Sequence, residues 1–151
     1  MVQDAHPRTT RGRAPLSDRS PEPPTAVVVH FGGLQQLARL RQMVDRFAIE
    51  AGMEGSQAAD VALAVSELAT NSLQHGGGMG RLSFWNDGDA LVCELRDHGW
   101  LEEPDAQPEP PDPTVRTGRG LWLVALLSDE LVRQTSSEGT RTRVTFRPTA
   151  G

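Results

Sequence analysis

Residues 60–78 read DVALAVSELATNSLQHGGG, and the periodicity of this run decides how the rest of the chain is arranged. At about 100° per residue, Ala58, Val61, Ala62, Val65, Leu68, Ala69 and Leu73 fall within one arc, the width a core-facing helix needs. The spacing predicts a long helix from about Ser56 to His75, released by Gly76, Gly77 and Gly78. Glu67, Asn71 and His75 recur every fourth residue outside the apolar arc, so a carboxylate, an amide and an imidazole stack along one ridge. Taken alone, such a ridge is either a solvated face or a ligand-facing one.

Outward from this helix, the upstream chain divides into three stretches. Residues 1–24 are rich in Arg, Pro, Ser and Thr without apolar periodicity and are expected to be a disordered leader. TAVVVHF, Thr25 to Phe31, is a short β-branched run suited to a buried strand. From Leu34 to Ala51 the residues Leu37, Leu40, Val44 and Phe47 recur at helical spacing, and Gly52 stops the helix.

Downstream, RLSFWNDGDALVCELRD, Arg81 to Asp97, reads as a hairpin turning near Asp87 and Gly88. Strand alternation places Leu91, Cys93, Leu95 and Asp97 on one face. A carboxylate ending an apolar row needs a donor, because a buried charge without partners is costly. Residues 100–117 are dominated by Pro and acidic side chains and predict a lid or an insert. Gly118-Arg119-Gly120 then opens a helix, Leu121 to Leu127, that is apolar nearly all round and therefore buried. A glycine-rich entry of this kind offers free N–H groups to an anion. Two strands follow, turning near Ser137 to Gly139. In the last one Thr140, Thr142, Val144 and Phe146 share a face, and Arg141, Arg143 and Arg147 read as the solvated side.

Composition bounds the function. The 151 residues suffice for one domain with its own core. A formal net charge of −5 argues against a non-specific nucleic-acid binder, which needs a basic surface. All 15 basic residues are Arg, so there is no P-loop lysine, and a phosphate must be held by Arg, backbone N–H groups or a metal. Cys93 is the single cysteine and reads as a small core residue. His30, His75, His98 and Cys93 have no zinc-type spacing. No apolar run is long enough for a membrane span and no secretory signal opens the chain, so a cytoplasmic setting is expected.

Four signals therefore stand in fixed order: the helix with Glu67 and Asn71, the strand ending Asp97-x-Gly99, the entry Gly118-Arg119-Gly120-Leu121, and the strand opening Gly139-Thr140. Together they resemble the GHKL ATPases, and SELATNSLQHG and GRGLWLV look most like the anti-sigma-factor serine kinases of that group. The resemblance covers about residues 25–147. It implies an α+β two-layer sandwich, a mixed, mostly antiparallel sheet covered on one face by helices, over residues 25–148 with the lid at about 100–117. It implies ATP and Mg²⁺ as ligands, with Asn71 on the metal and Glu67 as the general base. Asp97 would accept the adenine amino group and Gly99 would leave room for the ring. Gly118, Arg119, Gly120 and Leu121 would wrap the phosphates, and Thr140 would reach the adenine edge. His75 either closes its helix or reaches a phosphate. The chain departs from the family pattern after Gly99, where many relatives carry a second glycine and this one has Trp100-Leu101. The implied activity is a protein serine/threonine kinase acting on an anti-sigma-factor antagonist, with a sigma factor and a second copy as further partners. The runner-up is a nucleotide-gated binding module without transferase activity. The third reading is a structural α/β domain.

Overall fold

The computed structural model describes residues 21–99 and 119–149. The leader to residue 20 and the Pro-rich stretch 100–118 lie outside the described residues, so those two expectations stay with the sequence.

Strand β1 (Val27–Phe31) leads through one 3₁₀ turn (Leu34–Gln36) into helix α1 (Leu37–Glu50) and helix α2 (Gly55–His75). The hairpin β2 (Gly80–Asp87) and β3 (Ala90–Asp97) follows, then helix α3 (Arg119–Leu127) and a second hairpin, β4 (Glu130–Ser136) and β5 (Gly139–Phe146). The five strands make one sheet in the order β1-β2-β3-β5-β4. Every pairing is antiparallel, so the mixed sheet expected from the resemblance is purely antiparallel among the described residues.

Local chemistry explains the boundaries. The 3₁₀ turn replaces the first turn of the helix expected from Leu34, and the Gln36 side-chain oxygen accepts from the Gly32 N–H at 2.6 Å. At the other end of α1, Met53 N–H donates to Ala48 O at 3.1 Å and Gly52 N–H to Ile49 O at 3.0 Å. This is the paired-bond helix stop that a glycine in the left-handed region allows, and Gly52 has φ 97°. The Met53 side chain then enters the core beside Ala48.

Helix α2 carries the core. Ala58, Val61, Ala62, Val65, Leu68 and Ala69 are buried as their periodicity predicts. All of these but Ala62, together with Ala64, pack with Leu82, Phe84, Leu91, Cys93, Leu95, Val144 and Phe146 from one face of the sheet. Phe47 of α1 meets Phe84 of β2 edge to face, with centroids 4.9 Å apart, a geometry favoured by the ring quadrupoles. Cys93 is fully buried, and loss of hydration pushes its thiol up to about 12. It is therefore a small apolar filler, as expected, with negligible thiolate at neutral pH.

The outer face of the sheet departs from the sequence reading. Alternation sends Arg143 to that face as expected, yet Arg143 is only 5% exposed and is not a solvated residue. The reason is Glu94, whose side chain is 0% exposed and lies directly across the ladder from Arg143. Arg143 Nε donates to Glu94 Oε2 at 2.8 Å, and its guanidinium lies 5.2 Å over the Trp85 ring. Glu94 Oε1 accepts from Arg96 Nε at 3.0 Å and from Arg141 at 3.2 Å. Trp85, Val92 and Thr145 are buried alongside. A buried carboxylate is tolerable only with such partners. Burial by itself would raise the Glu94 pKa, but the hydrogen bond and charge of Arg143, with Arg141 and Arg96, hold it below the usual range.

At the rim of that face, Arg81 forms a two-bond pair with Glu22, at 2.7 and 2.8 Å. The Arg81 hydrogen bond lowers the Glu22 carboxyl to about 2. Both depressed carboxyls stabilise the fold above their unfolded pKa, and that contribution disappears as pH falls through the folded value. For Glu22 the window runs from 4.5 down to about 2. Urea midpoints are therefore expected to be flat near neutrality and to fall across that acidic window, with Glu22→Gln showing a shallower fall. Midpoints independent of pH there would contradict the assignment.

Candidate functional site

The C-terminal half of α2, the end of β3 and the start of α3 converge, and each contributes one of the residues singled out in the sequence. Asp97 ends the core-facing row of β3, as alternation predicts, and turns its carboxylate toward α2. Its Oδ2 accepts from Ser72 Oγ at 2.6 Å and its Oδ1 from the Gly99 N–H at 2.8 Å. Two donors fix the plane of the carboxylate, while the remaining lone pairs still have capacity to accept.

Gly76 is the position at which α2 stops, and a Cβ there would collide with the Asp97 carboxylate. Its carbonyl accepts from the His98 N–H at 3.1 Å, tying the helix end to the strand end. A Cβ on Gly99 would lie 3.0 Å from Gly76 Cα and 3.2 Å from the His75 carbonyl. The strand end, the helix end and Gly99 thus sit at backbone contact, with space for hydrogen only.

One turn back along α2, Glu67 and Asn71 flank the start of α3. A Cβ built on Gly120 would lie 2.7 Å from Glu67 Oε2 and 3.5 Å from Asn71 Oδ1. The ridge predicted from the four-residue spacing is therefore half-buried at Glu67 and Asn71. It presents two side-chain oxygens at the entry of α3. That helix, expected to be buried, in fact buries only Val124 and Ala125 among its described residues and exposes Leu126, because its outer side has no layer packed on it among those residues. The α2 backbone at Asn71 lies near the end of β3, since its neighbour Ser72 donates to Asp97.

Thr140 completes the strand side. It stands opposite Asp97 in the β3–β5 ladder, and its hydroxyl donates to the Gly99 carbonyl at 2.7 Å. Gly139, just before it, has φ 118°, and a Cβ would run into the Asp97 carbonyl. The glycine is required twice over, by the left-handed backbone and by the approach to β3. Gly139→Ala is expected to cost about 1–3 kcal/mol from backbone strain alone and more from the collision, read as a lowered urea midpoint. An unchanged midpoint would mean the turn relaxes freely.

The remaining sequence candidates divide in two. The His75 side chain is exposed at the end of α2, and only its backbone carbonyl lies against Gly99. Leu121 packs against the core. Gly118 and the side chain of Arg119 lie outside the described residues, although Arg119 begins α3. Ser72 was missed in the sequence because it falls inside the apolar arc of α2, where a small hydroxyl reads as filler. Its signal was available: it adjoins Asn71 and lies one turn before the terminating Gly76. Among the described residues no group of three or more His, Cys, Asp or Glu side chains stands close enough to hold a metal by itself.

With this geometry in place, comparison with known proteins is informative. The profile of the histidine kinase-like ATPase domain matches residues 33–146. No curated protein matches the sequence at a significant level. Among solved structures, the RsbU and RsbW domains of Rv1364c from Mycobacterium tuberculosis superimpose with a TM-score of 0.58 at 20% identity. That alignment covers 80% of this chain and 32% of the mycobacterial one, so the chain spans about a third of that protein. SiaB, solved in the SiaB–SiaC complex from Pseudomonas aeruginosa, superimposes with a TM-score of 0.62 at 12% identity, covering 80% of this chain and 88% of the other. At these identities the two structures speak to the fold.

Proposed function

The chain belongs to the histidine kinase-like ATPase domain family, and from that premise we propose that it is an ATP-dependent serine/threonine protein kinase of the anti-sigma type. It acts on a hydroxyl of an antagonist protein, and in its free state it holds a sigma factor. It works in the cytoplasm, with a second copy as a further partner. The observation that carries this reading is the convergence of Glu67 and Asn71 on Gly120 while Ser72, one residue on, positions Asp97. Both structural relatives point to protein partners: one domain is joined to an RsbU domain and the other is bound to SiaC.

The residues present fit a magnesium nucleotide. Asp97 offers an anchored acceptor for an exocyclic amino group, and Gly99 and Gly76 let the strand end and the helix end close around that carboxylate. Thr140 supports that end by holding the Gly99 carbonyl. Asn71 offers an oxygen of the kind Mg²⁺ prefers, and Glu67 lies within a side chain's breadth of it. Gly120 sits where any side chain would displace the Glu67 carboxylate, so that cradle stays open, and Gly118 and Arg119 precede it in sequence to meet phosphate. When bound, Mg²⁺ neutralises the charge that develops on the transferring phosphoryl group. Glu67 orients the acceptor hydroxyl and takes its proton as the oxygen bonds to the γ-phosphorus and the bond to the β–γ bridging oxygen breaks, with ADP leaving. His75 is assigned to closing the helix.

Two measurements test the reading. The first is nucleotide selectivity, for which Asp97→Asn is the diagnostic change. The amide keeps one acceptor for Ser72 or Gly99 but places an NH₂ group where an acceptor is needed. Loss of a charged hydrogen bond worth about 1.5–3 kcal/mol is expected to weaken Mg-ATP binding roughly 10- to 100-fold, with GTP little affected. Equal ATP affinity in Asp97→Asn would remove Asp97 from the base-binding role. The second is transfer of label from γ-labelled ATP to a co-purifying protein, and retention of all label as free phosphate or ATP would count against kinase activity.

A further inference from the structure

On the face of the sheet away from the helices, one cross-strand row carries an unusual set of side chains. His30 of β1 stands opposite Arg81 of β2, Arg81 opposite Arg96 of β3, and Arg96 opposite Arg141 of β5. Like charges directly opposite one another on a sheet repel, so this row needs counter-charges. Glu94 supplies one, shared among Arg96, Arg141 and Arg143, and Glu22 supplies another to Arg81. Three of these guanidinium groups, those of Arg81, Arg96 and Arg141, also line the outer cavity of this face. Glu138 and Asp97 also contribute to the surrounding lining, so the capacity of the row lies in its unused N–H donors and not in a count of charge.

The row floors a cavity of about 330 Å³, lined by His30, Arg81, Arg96, His98, Glu138 and Arg141 among others. The arginines are held but not used up. Arg96 is 44% exposed and gives only its Nε to Glu94, and Arg141 is 30% exposed and gives Nε and one terminal nitrogen. A guanidinium has five N–H donors in a fixed fork, so outward donors remain on each. Glu94 and Glu22 act as clamps that fix the forks in place before any ligand arrives, which reduces the entropy lost on binding.

We propose that this arginine row is a docking site for an acidic segment of a partner protein, separate from the nucleotide-facing side of the sheet. Spacing favours a segment over a single anion. Adjacent strands lie about 4.8 Å apart, so the row from Arg81 to Arg141 is roughly 10 Å long. A row of that length exceeds the span of a single phosphate, whereas alternate carboxylates of an extended chain, roughly 7 Å apart, reach it from end to end. The site does not depend on the kinase reading, since none of its arginines belongs to the nucleotide machinery. It adjoins that machinery, since Asp97, Gly139 and Thr140 also contribute to its lining.

The test uses the full chain and a dye-labelled hexaglutamate peptide, followed by fluorescence anisotropy at low salt. Binding is expected to weaken steeply with added salt and roughly tenfold in Arg96→Gln, which removes a charged donor. His30→Glu, a change on an exposed strand position, is expected to weaken it similarly by placing a carboxylate in the row. Thermal midpoints close to wild type in at least one of the two variants separate lost binding from lost fold. No binding by the wild type, equal binding by a folded variant, or tighter binding of a hexathymidylate than of the peptide would each overturn the proposal.

Discussion

Replacement of Glu94 by alanine is expected to destabilise the protein by about 3–5 kcal/mol, the usual result of removing one partner from a buried ion pair. The side chain is 0% exposed and is the shared acceptor for Arg96, Arg141 and Arg143. Arg143, itself 5% exposed, cannot turn to water to compensate. Its guanidinium, held 5.2 Å over the Trp85 ring, would lose the carboxylate directly across the ladder. The combined change Glu94→Leu with Arg143→Met is expected to recover most of the loss, because a matched apolar pair needs no counter-charge. Urea denaturation of the three proteins checks both statements. A loss below about 1 kcal/mol in Glu94→Ala, the range of a surface pair, would show that water already reaches the cluster.

Glu67→Gln is expected to leave nucleotide binding nearly intact and to reduce phosphoryl transfer about 10²- to 10⁴-fold, the contribution of a positioned general base. The amide is isosteric, so the gap beside Gly120 and Asn71 keeps its shape, and only proton acceptance is lost. Asn71→Ala makes the contrasting case, with weakened Mg²⁺-dependent binding and an equal fall in turnover. Isothermal titration with Mg-ATP beside a single-turnover label-transfer assay separates the two. Transfer unaffected in Glu67→Gln would assign the proton to another group. Binding without transfer in the wild type would favour the nucleotide-gated binding module.

The sequence disclosed most of what its periodicities could carry. The apolar arc of α2 and the alternation in β3 and β5 are repeated signals, so the helices, the hairpins and the inward turn of Asp97 follow from them. Ridge residues Glu67 and Asn71 were also legible, because a four-residue spacing fixes neighbours on a helix whatever the tertiary structure. What packs against that ridge was not. Alternation tells which face a strand residue takes but not whether that face is covered, so Arg143 read as solvated. The missing clue was a single letter, Glu94 in the apolar run LVCEL, whose partners sit on a strand far along the chain. Ser72 failed for a similar reason. A hydroxyl in an apolar arc acquires meaning only when another strand end brings it an acceptor. The 3₁₀ start before α1 depends on a local side-chain bond from Gln36, which hydrophobic spacing does not register.

Strand order also bears on how the chain reaches its native state. β5 lies between β3 and β4, so the two hairpins join only along the seam from Leu91–Phe146 to Asp97–Thr140. Both hairpins are short-range and can zip early, whereas the seam must close a long loop before its contacts offset the entropy lost. Closure of the seam is therefore the natural slow step. Because Asp97 and Thr140 are its last rung, any ligand seated there would raise the native population by holding the two halves together after they meet, slowing unfolding more than it hastens folding.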